Sequence, residues 1–374
     1  MIDILPCLTK KEMTAFVKFP FTLYKNNKFW VPPIIADELE TFDVKKNPVF
    51  ENAEAHFYLA FKNNVTVGRI AAIINWEEVN NQQKRKVRFG WFDVIDDIKV
   101  TEALLGKVKD FGKENNLDHI EGPMGFSNLD KVGLVTEGFE DLGSMITWYN
   151  FSYYASHFEQ LGYKKEKEFL ENRMLFENIK PEFFYKAQTL IKQRYQLEIL
   201  TFKKTEQIMP YVDEMFDLFN ESYANLSSFV KITDSQKTFF KQKYISFINP
   251  EYILFVIDKN RKLIAFSIVM PSFSEALQKA NGKLFPFGFY HLLQARKNSK
   301  DVLFYLIGVA PEYQNKGVHA IIFNQYYETF KAKGIINCIR TPELADNVAI
   351  HQLWKHFKPE TFRKRCTFTK KIHS

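Results

Sequence analysis

Apolar positions along this chain switch between two spacings, and each switch marks an element. Ala103, Leu104, Val108 and Phe111 recur at helical spacing and predict a helix over 100–115. Val212, Met215, Phe216 and Phe219 predict another over 208–223. Runs rich in β-branched and aromatic residues predict strands at 56–61 and 66–75, joined as a hairpin by Lys62-Asn63-Asn64, then at 87–95 and 119–122. A similar order returns later. Strands are predicted at 197–202, at 252–257 and 263–271 around the Asp258-Lys259-Asn260 turn, and at 302–309. A helix through residue 333, a strand over 335–339, a helix over 347–357 and a strand over 363–371 complete the series. Before the first hairpin lie a predicted helix over 10–24 and an extended stretch at Trp30-Val31-Pro32-Pro33, since each proline biases its predecessor away from helix.

The repeated order predicts an α/β class with mixed sheets, in two similar halves: residues 1–180 and residues 181–374. Residues 173–176 are expected to form the last strand of the first half, and residues 181–195 a connecting helix. The length of 374 residues suits two domains. Apolar residues make up 46% and charged residues 25%, the balance of an ordinary globular chain. The formal charge of +7 favours an anionic small ligand but is too small to indicate nucleic-acid binding. The basic runs at 84–86 and 363–365 read as solvated loops or edge-strand charges. Cys7, Cys338 and Cys366 are isolated, which indicates neither a disulfide framework nor a metal site and suits a cytoplasmic protein. The N-terminus lacks the pattern of a secretion signal, and no apolar run is long enough for a spanning helix, so no membrane partner is expected.

The chemistry concentrates in Leu306-Ile-Gly-Val-Ala-Pro-Glu-Tyr-Gln-Asn-Lys-Gly-Val-His-Ala320, where a predicted strand runs through a proline-stopped loop into a helix. A helix start carries N–H groups without intrahelical partners and a partial positive charge, which together suit a phosphate. Gly317 lets a bulky pyrophosphate approach the backbone, while Gln314 and Lys316 can add donors or charge.

This segment resembles the acetyl-CoA loop of the GNAT N-acetyltransferase superfamily, V-x-P-x-x-Q/R-x-x-G-x-G/A, with Val309, Pro311, Gln314 and Gly317 at the matching positions and His319 in place of the last small residue. The resemblance implies a tandem acyl-CoA N-acyltransferase fold and a cofactor that is acetyl-CoA or another acyl-CoA. It implies cofactor contacts from Ile307, Gly308, Val309, Gln314, Asn315, Lys316, Gly317, Val318, His319 and Asn347, and no metal. An N–H group near Gly308 or Val309 would stabilise the oxyanion, with an amine-bearing molecule as acceptor. Tyr305 and Glu343 are the candidates for proton transfer, with Tyr313 and Tyr290 as further aromatic candidates; Trp354 stands where the family often carries a thiolate-protonating tyrosine. In the first half, Val67-Gly68-Arg69 and residues 150–163 resemble the family's third strand and closing helix, but the cofactor loop reads Ile95-Asp-Asp-Ile-Lys-Val-Thr-Glu-Ala103. Acids stand where phosphates would sit, so this half is expected to be degenerate and non-binding. Nearly the whole chain resembles a bacterial group with two GNAT-like halves.

No G-x-S-x-G, H-E-x-x-H, P-loop or dinucleotide-binding motif competes with this reading. The function expected is an acyl-CoA-dependent N-acyltransferase, most simply an N-acetyltransferase. Two readings stand beside it: a non-catalytic CoA-binding or scaffold protein, and a tandem-GNAT aminoacyl transferase. The stretch 272–300 reads as a specificity loop whose Phe285-Pro-Phe-Gly-Phe289 lines a pocket or covers the sheet.

Overall fold

Asn63 and Asn64 adopt φ of 51° and 62°, the left-handed pair of a two-residue turn whose twist matches the strands it joins. The hairpin predicted around them is therefore formed, by Ala53–Lys62 and Val65–Asn75. The computed structural model describes residues 1–224, 226, 229–245, 248–354 and 357–373. Among these, fourteen strands make one continuous sheet. In chain order they are β1 (Ile2–Pro6), β2 (Ala53–Lys62), β3 (Val65–Asn75), β4 (Lys86–Val94), β5 (His119–Gly122), β6 (Leu134–Glu137), β7 (Lys164–Leu175), β8 (Glu198–Thr201), β9 (Ile253–Ile257), β10 (Leu263–Pro271), β11 (Asp301–Val309), β12 (Asn337–Arg340), β13 (Glu343–Leu344) and β14 (Glu360–Lys371).

The two halves follow the same plan. β2, β3 and β4 are antiparallel neighbours and β4 then pairs in parallel with β5; β9, β10, β11 and β12 repeat this. Each parallel pair is joined by an amphipathic helix, Ile98–Glu114 in one half and His319–Lys333 in the other. The closing strands are exchanged: β14, from the end of the chain, pairs with β5, while β7 pairs with β12. β7 and β14 pair with each other from Glu360↔Arg173 to Thr369↔Lys164, which joins both halves into one sheet.

β7 is much longer than the predicted strand at 173–176, because its first residues, Lys164-Lys-Glu-Lys-Glu168, carry charges that conceal a strand pattern. The helix expected over 347–357 is observed as Val348–Trp354, and residues 355–356 lie outside the described residues. The stretch 272–300 is not a loop; it holds the helices Ser274–Ala280 and Gly288–Asn298. No helix among the described residues is long and apolar enough to cross a membrane.

Within the basic runs, Arg85 is exposed in a loop as expected, but Lys86, Arg363 and Arg365 are corrected. Lys86 is buried and bonds Glu121 at 2.7 Å and Glu78 at 3.3 Å, while neighbouring Arg88 bonds Glu78 at 2.7 Å. Arg363 and Arg365 are 1% exposed and share the buried Glu171 of β7. Both strands lie inside the sheet rather than at an edge, so their charges need partners there. Arg363 also donates to Gly138 O and Arg365 to Gly133 O, tying the first-half loops to the exchanged pair. Replacing Glu171 by Ala leaves two guanidinium groups buried without their carboxylate, so we expect a loss of about 3–5 kcal/mol of unfolding free energy, read by urea denaturation. Glu171→Ala unfolding at the wild-type midpoint contradicts this account.

Candidate functional site

β11 runs beside β12 only from Asp301↔Asn337 to Phe304↔Arg340. Beyond that the strands part, and residues 305–309 have β10 on one side only. Tyr305 occupies an irregularity, since Ile268 faces Leu306 and the next residue, Val269, already faces Phe304. Ala310 N–H donates to Ile264 O, so Gly308 and Leu306 address β10 while Ile307 and Val309 turn their N–H and C=O groups to the opening. Of the two N–H groups expected to serve an oxyanion, Val309's faces the cleft and Gly308's is used within the sheet. The lack of a side chain at Gly308 has its own cause: a Cβ there would strike the Phe266 ring.

The cleft between the parted strands has a volume of about 820 Å³. Tyr305, Ile307, Gly308, Val309, Gln314, Asn315, Gly317, Val318, His319, Glu343 and Asn347 all line it. Lys316 does not; its ammonium lies 5.3 Å from the Tyr195 ring centre and 5.1 Å from that of Tyr313. The loop before the helix His319–Lys333 turns through Asn315 at φ 60° and Gly317 at φ 76°. Val318 gives this helix no side-chain cap; Ala320 and Ile321 N–H donate to Gly317 O at 2.9 Å and Val318 O at 3.0 Å, which leaves the N–H groups of Gly317, Val318 and His319 for a ligand. The Gln314 amide donates to Val309 O at 3.3 Å, and burial pulls the His319 pKa below its usual value, favouring the neutral ring.

Two residues are already engaged. Glu343 is paired with the buried Arg340, whose guanidinium lies 4.9 Å from the Trp354 ring centre. Asn347 Oδ1 accepts the Ile350 N–H at 3.2 Å, capping the helix Val348–Trp354. Trp354 is packed against Phe304 and Phe323, and its indole N–H has no acceptor among the described residues. His351 is half-buried, with Nε2 3.2 Å from Leu344 O and Ala345 O. Tyr290 lies away from the cleft, exposed on the helix Gly288–Asn298.

The opposite wall, which periodicity and motif reading missed, comes from the first half and from β7: Arg88, Met124, Ser127, Asp130, Lys167 and Phe169. Tyr305 OH donates to Leu129 O at 3.3 Å across a separation of 176 positions, a contact no local pattern foretells. Burial raises the Asp130 pKa, partly offset by the Ser127 N–H at 2.8 Å and Ser127 hydroxyl at 3.2 Å, both donating to Oδ2. Burial also raises the phenols of Tyr305 and Tyr223, the latter to about 12, so both stay protonated at neutral pH. Tyr223 OH donates to the cleft-facing Ile307 O at 3.1 Å.

The first half has the same parting of strands with a different filling. Val94 stands where Val309 does, one residue before an N–H that bonds back across the hairpin, Ile95 to Val67 O. Its N–H donates to Tyr154 OH at 2.8 Å and its C=O accepts from Tyr153 OH at 2.6 Å. Tyr24 and Arg69 close on Asp93 beside them, each at 2.7 Å. At the following helix start, the Asp97 carboxylate accepts the Lys99 N–H, so an acid caps the position corresponding to the glycine loop.

No family model matches the chain. Protein YghO of Escherichia coli (strain K12) is 25% identical over 372 residues, covering 98% of this chain and 94% of that protein. The bacterial ceramide synthase of Caulobacter vibrioides (strain NA1000 / CB15N) is 23% identical over 320 residues, covering 84% of this chain and 82% of that protein. Among solved structures, a tandem GNAT protein from the clavulanic acid biosynthesis pathway superposes with a TM-score of 0.59 at 10% identity, over 100% of this chain and 99% of that one. The expected architecture is therefore observed: a tandem GNAT fold with two similar halves. Gly317→Ala puts a Cβ on a left-handed backbone, 2.8 Å from Ile191 Cδ1, and we expect about 1–2 kcal/mol of destabilisation by chemical denaturation. A neutral substitution contradicts the backbone reading of the turn.

Proposed function

With the tandem GNAT fold as the premise, we propose that this chain is an acyl-CoA-dependent N-acyltransferase whose working cleft belongs to the second half. The observation that carries the reading is the contrast between equivalent valines. Val309 N–H opens into a cleft that ends on an uncapped helix start, whereas Val94 N–H and C=O are both closed by tyrosines. By the same contrast, the first half is read as a partner that binds no acyl-CoA and lends its loops to the acceptor side. The residues present fit a nucleotide thioester: the left-handed turn through Asn315 and Gly317 lines the cleft, and the N–H groups of Gly317, Val318 and His319 can receive the charge of a pyrophosphate. Gln314, Asn315, Gly317, Val318 and His319 would hold the phosphates, and Ile307, Val309 and Asn347 the arm leading to the thioester.

Acyl-CoA would supply an activated carbonyl. Val309 N–H, directed into the opening, is the donor for developing negative charge on the carbonyl oxygen. Asp130 accepts the proton of the attacking amine as the C–N bond forms and the C–S bond breaks; the departing thiolate takes a proton from water. The raised pKa of Asp130 suits this role better than the Arg340-bound carboxylate of Glu343, which holds the β13 turn. Tyr305, kept neutral, braces Leu129 beside Asp130 rather than acting as a base. Among amines, the relative named bacterial ceramide synthase favours a long-chain amino alcohol, since a ceramide is the N-acylated form of one; the apolar part of the cleft, with Phe169, Leu306 and Leu353, suits such a chain.

Calorimetry with acetyl-CoA and with long-chain acyl-CoAs tests the reading. Binding of at least one, abolished in Gly317→Glu with the fold retained by circular dichroism, is the expected result; no binding to any of them overturns it. Binding without CoA release on any amine, long-chain amino alcohols included, would favour the scaffold reading, and an aminoacyl transferase would not need the cradle. For turnover, the wild-type rate should fall as pH drops through a limb above the ordinary carboxylate range near 4, because Asp130 must be ionised to accept a proton. Asp130→Asn should lose that limb and about 10²–10⁴-fold in kcat. An unchanged pH profile removes Asp130 from the mechanism.

A further inference from the structure

The stretch between β10 and β11 does not line the cleft. Its helices, Ser274–Ala280 and Gly288–Asn298, turn Ala276, Leu277, Ala280 and Leu292 inward onto Val31 and Ile34 of the first half. The other side is apolar and open. Phe285, Phe287, Phe289, Tyr290 and Leu293 are 83%, 70%, 48%, 59% and 43% exposed, a clustering of bare aromatic side chains that a water-facing surface does not explain.

The tip is held in place rather than loose. Phe289 N–H donates to Leu284 O at 2.7 Å and His291 N–H to Phe287 O at 3.1 Å, while Gly282 O accepts the Ile35 N–H at 3.0 Å. Gly282, at φ 79°, lies against Phe21, and a Cβ on Gly288 would overlap Lys283 O. The backbone thus presents these rings in a fixed arrangement. The charge along the stretch is mainly positive: residues 276–300 contain Lys279, Lys283, Arg296, Lys297 and Lys300 and no Asp or Glu, while Glu206 and Glu251 line a groove beside Leu293, Arg296 and Lys297.

We propose that this aromatic tip with its basic surround is a docking surface for an anionic lipid bilayer, the rings entering the headgroup boundary and the lysines and arginine meeting lipid phosphates. Apolar side chains that insert and cations that attract are the two contributions an interfacial anchor requires, and neither needs a spanning helix. A second copy of this chain is a poorer occupant, because two such surfaces would bring like charges together. The inference stands whether the acylated amine is a lipid or water-soluble, so it can fail independently of the catalytic reading.

The test is co-sedimentation of the full chain with vesicles of phosphatidylcholine containing phosphatidylglycerol, against vesicles of phosphatidylcholine alone, at low and high salt. Light scattering gives the oligomeric state alongside. The comparison protein carries Phe285→Ser, Phe287→Ser and Phe289→Ser; these exposed positions lie outside the cleft, and circular dichroism with urea denaturation verifies that its fold is intact. Wild type is expected to partition to the anionic vesicles, more weakly as salt rises, and the triple variant at least about tenfold more weakly. Failure of wild type to sediment with anionic vesicles overturns the proposal, as does equal partitioning of the variant. Self-association that the variant abolishes, without vesicle binding, overturns it in favour of a contact between copies.

Discussion

The pairing of β7 with β14 is the contact on which the rest of the molecule depends. Each strand closes the other half's run of strands, so neither half has a complete sheet without a segment contributed from across the chain. Glu171 on one strand and Arg363 and Arg365 on the other make this junction selective, because a slip of one residue would leave charges buried without partners. The same junction builds the cleft: β7 brings Lys167 and Phe169 to a site whose other wall is β11.

The two halves illustrate how one backbone plan gives two chemical outcomes. In both, a strand parts from its parallel neighbour and exposes peptide groups that must find partners. In the first half Tyr153, Tyr154 and an aspartate cap supply them, and the opening is filled by side chains. In the second, a glycine turn and an uncapped helix start leave donors facing a cavity.

Burial then sorts the ionisable groups around that cavity. Tyr305 and Tyr223 are held as neutral donors, His319 is biased toward its neutral form, and burial raises the Asp130 carboxyl above its ordinary value. Glu343, the more obvious acid by sequence position, is neutralised by Arg340. Asp130 and Glu343 line one cleft from distant parts of the chain because the cleft is assembled from both halves.

By itself the sequence determined the strand-helix order, the first hairpin through Asn63 and Asn64, and the strand, turn and helix that bear Val309, Gln314 and Gly317. These are local consequences of side-chain period, positive-φ residues and a proline stop, each complete within a dozen residues or so. It concealed β7, whose charged residues imitate a solvated segment, and disguised Lys86, Arg363 and Arg365 as surface charges. Only the tertiary structure decided that these cations lie within the sheet, that Asp130 faces Tyr305, and that Phe285 and its neighbours stay uncovered. The reason is physical: where a charge finds its counter-ion, or an apolar ring its cover, depends on strands paired across nearly two hundred residues, and no periodicity in the chain records that pairing.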